Sequence, residues 1–362
     1  MIGNKGKQMT ISLVIVVFAF TSLFAGNGIT KYISKEELWK NKKEVKLEHV
    51  LTIGVDDFEK DEKYFFALII DIKFDRSGNL YVLDSKTWRI TKYSPGGIFM
   101  QSFELNKGRG PGDHLRPKKI AIDKDDDIFI ADMYNRITIL NKSGKLKSTF
   151  TIREKGLLAR IDVGLDKSFY LTKFHDSNID RIFKYSSTTG GMIKTFCKGN
   201  SDDILRESVS GYIAFDNDEN LYYSPSYPYE IKKFSSEGKL LNYFSREAKF
   251  HKPIKNAMNT SGLEFISVSM GIAIFPDGKI LSLIRHRIST DNKEKAKYEY
   301  WFDVFSKDGK WLISFSNDRL KNDFVRFFNI DPFGYLYLDY STPYPHIKKF
   351  KIEFVDKKAE SK

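Results

Sequence analysis

Cysteine is almost missing: Cys197 is the only one in 362 residues. No disulfide can form within one chain, so stability has to come from packing. Proline is scarce, at ten residues, and there is no low-complexity tract, which excludes a disordered or linker-like chain. Beyond the first 25 residues no hydrophobic run is long enough to cross a membrane. The short signatures of catalysis are also lacking. There is no HExxH or CxxC spacing for a metal and no GxSxG elbow for a nucleophile. Gly108–Gly112 has neither the Lys-Ser/Thr ending nor the following helix of a phosphate loop.

Aromatic residues are abundant, at 15 % with 30 Phe and 19 Tyr, and they suit half-buried pleated surfaces, so many strands are expected. The length fits two ordinary domains or one long ring or barrel around a continuous core. Residues 1–25 read as a secretory signal: Lys5 and Lys7 open it, Ile11 to Phe20 is nearly all apolar, and Ala25 and Gly26 are small. The run is shorter than the roughly 20 residues of a spanning helix. The expectation is a periplasmic or secreted protein with no integral membrane domain after cleavage. No cysteine near the cleavage region speaks for a lipid anchor. The formal charge is +12, or +10 without the two lysines of the leader. That balance favours anionic partners, and export makes nucleic acid the poorest of them.

A period of about 50 residues organises the rest. Ile72 to Asp75, a turn closing on Gly78 and Asn79, Leu80 to Asp84, Arg89 to Tyr93, a Ser94 to Gly97 turn and a strand ending near Phe103 form the first copy. Ile120 to Phe150 repeats it closely, and further copies start at Ile161, Ile213, Ile272 and Phe328. Short alternating strands between Asp, Asn and Gly turns mark an antiparallel meander. The expectation is all-β: a six-bladed β-propeller of four-stranded antiparallel blades over residues 45–355. The sixth copy lacks a fourth strand, and Lys46 to Ile53 is unassigned, so the N-terminal strand is expected to close the ring and remove the edge. Residues 26–44 form a linker in which Ser34 to Glu37 has capping-box spacing for a short helix. Residues 356–362 are a charged tail.

Gly108 to Asp113, Pro117, Asp123, Ile128 to Asp132, Asn135 Arg136 Ile137 and Gly144 resemble an NHL repeat. The resemblance spans the ring but is carried by copies one and two. Copies three, five and six lack the Gly-Pro-Gly turn and the Asn-Arg pair. It implies an exported bacterial propeller of a kind that mostly binds protein, RNA or small ligands. A minority of related folds are enzymes, among them a metal-dependent amidating lyase, lactonase-like hydrolases and streptogramin lyases, so the fold does not give the function.

In such blades the first and third turns lie on one face, and the second turns and blade connections on the other. The long segments all belong to the second face, which marks it as the candidate functional face. Arg109, Asp113, Arg116, Arg285 and Arg287, with Tyr134, Tyr229 and Tyr344, are candidates for an anionic, sugar or protein ligand, because guanidinium groups grip carboxylates in pairs of hydrogen bonds beside aromatic faces. His114, His175, His286 and His346 share that face and are candidates for zinc or calcium at the mouth. Arg89 and Arg136 open third strands and are expected to tie strands together. Asp84, Asp132 and Asp339 recur at strand ends, where capping explains them better than metal or catalysis. Three functions follow: a noncatalytic binding module on the long-loop face, favoured, a metal-dependent lyase or hydrolase in the central mouth, or a structural interaction protein whose basic surface matters more than any pocket. The cofactor, ligand identity and oligomeric state are not specified by the sequence.

Overall fold

The computed structural model describes residues 30–31, 43–154, 156–174, 180–198, 211–226, 229–245, 267–287, 298–316 and 327–356. The leader, the expected helix at Ser34 to Glu37 and the tail beyond Asp356 lie outside them. Six four-stranded antiparallel sheets stand in a ring. Their first strands are Ile69–Phe74, Pro117–Ile122, Leu157–Val163, Gly211–Phe215, Ser267–Ile274 and Phe328–Ile330, one per blade, and these neighbour one another around the axis. Blade six takes its fourth strand from the N-terminus: Lys43–Ile53 pairs with His346–Asp356, Ile53 opposite Ile347. The expected closure is what forms. A short N-terminal strand, Thr30–Lys31, adds in parallel to the outer edge of blade four beside Tyr243 and Phe244.

The repeat makes this fold because the same positions do the same work in each copy. The first turn starts at Asp75, Asp123, Asp216 or Asp331, whose carboxylates accept the backbone N–H four residues on and, in the last three, also the one two residues on. Three residues after the start the chain turns left-handed, at Gly78, Asp126, Lys167, Glu219, Gly278 and Gly334. Six residues after the start, in the second strand, stands a large buried group: Tyr81, Phe129, Tyr170, Tyr222, Leu281 and Tyr337. Six hydrophobic clusters result, each between two consecutive blades. Burying a side chain of that size contributes about 1.5–3 kcal/mol, and the ring joins the clusters without a terminal edge.

The strand-end aspartates are caps. Asp84 accepts from Ala67, Leu68, Lys86 and Thr87 N–H, Asp132 from Leu115, Arg116 and Tyr134, and Asp339 from Phe327. Arg89 donates to the Glu62 and Phe65 carbonyls and Arg136 to that of Gly110, so each fastens a blade connection to a third strand.

Candidate axial site

Counting back from the residue that starts each first turn places two tiers of side chains on the inner strands. Four residues back are Asp71, Lys119, Arg160, Tyr212, Gly271 and Phe327; two residues back are Lys73, Ala121, Asp162, Ala214, Ala273 and Asn329. Alternation along a strand sends both tiers to the same side of each blade. Just before the outer tier the register shifts in blades one, two, three and five, and such bulges re-aim the side chains that follow. All of these except Ala121 line one cavity of about 530 Å³ along the axis. It reaches the tight-turn face, where Arg76, Leu165, Asn217, Pro276 and Pro332 form its rim.

The two halves of the ring differ. Blades one to three supply the charges. Lys119 Nζ donates to Ile70 O at 3.0 Å and meets Asp71 Oδ1 at 3.3 Å, while Asp71 Oδ2 accepts Ile120 N–H at 2.9 Å. Ala121 is small, so Lys73 of blade one reaches past blade two to Asp162 of blade three at 2.8 Å. Arg160 donates to Ala159 O, and its guanidinium carbon stands 4.2 Å over the Tyr212 ring. No carboxylate among the described residues pairs with it. Three cations therefore share two carboxylates. Burial pushes the Lys119 ammonium down to about 8; Asp71 opposes this, while Arg160 and Lys73 add to it. Burial would lower Lys73 too, but Asp162 and Asp71 outweigh it and hold it above its ordinary value. Blades four to six supply apolar wall: Tyr212, Ala214, Met270, Ile272, Ile274, Phe327 and Phe328. A side chain at Gly271 would collide with the Phe328 ring, so glycine lets that ring pack inward.

The residues expected from loop length divide differently. Arg109 and Tyr134, both exposed, share a shallow groove on blade two with Leu115, Asp132, Arg136, Thr149 and Thr151. Asp113 instead holds its own turn by accepting Gly110 N–H at 2.9 Å, and Arg116 is exposed outside the groove. Tyr229 is buried in the cluster between blades four and five and donates to Asp303 at 3.0 Å. Arg285 is half-buried on the second strand of blade five. Arg287 and His286 belong to that strand, with side chains outside the described part, and His175 lies outside it altogether. Tyr344 packs its ring 5.0 Å from that of His346 and offers its carbonyl to His346 Nδ1 at 2.7 Å; that nitrogen must carry the proton. His346 is buried and stacked on Tyr340.

His114 is 1 % exposed with neither ring nitrogen hydrogen-bonded. Burial pushes it down to about 4, with Asp132 and Asp113 pulling upward and Arg136 downward. Among the described residues no three His, Cys, Asp or Glu side chains converge as a metal site would need. The cationic arc was missed because loop length was used to choose the face. Aligning the copies on the turn start and reading the columns two and four residues earlier would have found it.

No family model matches the chain, and no curated protein matches it. Solved structures do. A DUF4221 family member from Bacteroides vulgatus superposes with a TM-score of 0.64 at 13 % identity, covering 86 % of this chain and 99 % of that one. A protein of Bacteroides fragilis, named as one expected to be exported, gives 0.57 at 13 %, covering 90 % and 99 %. A catalytically inactive variant of virginiamycin B lyase from Staphylococcus aureus, solved with quinupristin, gives 0.51 at 12 %, covering 85 % and 99 %. What these proteins share with this chain is the fold. At such identities the likeness goes no further, and the NHL resemblance has no family match behind it. No helix among the described residues is long and apolar enough to cross a membrane.

Proposed function

We propose that this propeller is an exported, noncatalytic binding module that holds a small anionic ligand in its axial channel. One observation carries the reading: in a channel of ligand size, Lys73, Lys119 and Arg160 share only Asp71 and Asp162, which leaves Arg160 without a carboxylate. Guanidinium donors in a partly desolvated wall bind a carboxylate through paired, charge-assisted hydrogen bonds. The leader and the likeness to a protein named for export support the location.

Titration calorimetry with acetate, succinate and benzoate at low ionic strength tests it. One-to-one binding of at least one of them, weakened about tenfold or more in Arg160→Gln, is expected. No saturable binding, or equal affinity in the variant, contradicts it. N-terminal sequencing of the exported fraction tests the location: a start near Gly26 is expected, and a retained leader contradicts cleavage.

The blade-two groove favours a second reading on the long-loop face. Arg109 and Arg136 flank the exposed Tyr134 and two threonine hydroxyls, a mixture suited to an acidic sugar. Loss of uronate-oligosaccharide retention in an Arg109→Ala, Tyr134→Ala variant would support it, and unchanged retention would remove it.

A further inference from the structure

We infer that the axial ligand is an amphipathic monocarboxylate, its carboxylate on Arg160 and its hydrocarbon body along blades four to six; this rests on the reading of the channel as an anion site.

The charge count limits the head group. Lys119 is matched with Asp71 and Lys73 with Asp162, and Asp216 and Asp331 at the turns are matched with Lys233 and Lys349. Two cations of the channel lack a carboxylate among the described residues, and of these Arg76 is exposed at the rim, so Arg160 is the unmatched one within the wall. A polyanion would need to pull the two matched lysines from their carboxylates, which leaves buried carboxylates unpaired at high cost. A single carboxylate needs neither ion pair broken.

The opposite wall sets the body. Tyr212, Ala214, Met270, Ile272, Ile274 and Phe328 offer almost no polar side-chain atoms. The second-tier residues Ala214 and Ala273 are short, so the space lies in front of this wall. A fully polar ligand would lose water there without replacement. A fully apolar ligand would strip water from Arg160. A molecule with one charged end and one apolar end satisfies both walls, and about 530 Å³ accommodates one of drug-like size.

The test is a homologous series, acetate through decanoate, titrated into the wild type, Arg160→Gln and Met270→Gln, with thermal melting to check that each variant folds. Affinity should rise about fourfold per methylene over the middle of the series, in line with burial of each CH₂. Arg160→Gln should weaken the whole series by a constant factor of ten or more, and Met270→Gln should flatten the slope. Equal affinity across the series, still dependent on Arg160, would overturn the amphipathic assignment and leave the anion site standing. A slope that survives Arg160→Gln without offset would overturn the anion reading, and no binding by any member would overturn both.

Discussion

Blades one to three and blades four to six send the same strand positions to the axis and deliver different chemistry. At the position four residues before the turn, one arc carries Asp71, Lys119 and Arg160, and the other Tyr212, Gly271 and Phe327. Nothing in blade architecture requires this. Both arcs build equally regular sheets, and positions that serve the blade, such as the turn-starting residue and the large group of the second strand, recur with similar chemistry around most of the ring. The columns that repeat hold the fold, and the columns that vary mark the site.

The largest effect expected from breaking the contrast is on stability. Asp71→Ala strands the Lys119 ammonium and orphans Ile120 N–H in a buried seam, so chemical denaturation should show a loss of about 3–5 kcal/mol. Adding Lys119→Met should restore most of it, whereas an additive double variant would deny the coupling.

Next is a pH response confined to the cationic arc. Lys119 sits at about 8 in the folded state, below the ordinary 10.4 or so of an unfolded lysine. Below pH 8 both states hold the proton and the cost of burying the ammonium is complete. Between about 8 and 10.4 the unfolded chain binds more protons, so stability rises with pH, by about 2–3 kcal/mol. The rise should be missing in Lys119→Met. Carboxylate affinity should fall over the same window as the channel loses a charge, so stability and affinity move in opposite directions.

His114 gives the same sign at lower pH, outside the channel. Its folded value near 4 lies below the ordinary 6.5, so its contribution is complete above pH 6.5 and is lost as pH falls toward 4, by about 2–3 kcal/mol. Wild type should lose this stability relative to His114→Phe in acid denaturation, and parallel curves would refute it.

The smallest effect sharpens the boundary between the arcs. Tyr212 lies over Arg160, so Tyr212→Glu should match the unpaired guanidinium internally. Benzoate affinity should drop about tenfold, or ~1.4 kcal/mol, while the melting temperature stays within a few degrees. Unchanged affinity would mean that Arg160 is not the anion anchor.

The fold was legible because its signals are local. Turn-starting aspartates, left-handed turn residues and alternating strands lie within a few residues of one another, and the unassigned stretch Lys46 to Ile53 announced the missing edge. The pairing of Thr30–Lys31 with blade four was not, since two residues carry no periodic pattern. The site was half legible. Arg109 and Tyr134, chosen by loop length, line one groove, but polarity does not tell which way a side chain points, and Tyr229, His114 and His346 turn inward. Lys73 meeting Asp162 and Lys119 standing over Phe327 join residues far apart in the chain. Only ring closure brings them together, so no window of sequence displays them.

Crystals soaked in octanoate test the central claim most directly. The account predicts a carboxylate within hydrogen-bonding distance of the Arg160 guanidinium and a chain lying along Tyr212, Met270 and Phe328. Octanoate bound only on the blade-two groove or the outer rim, with the axial channel holding solvent, would contradict it.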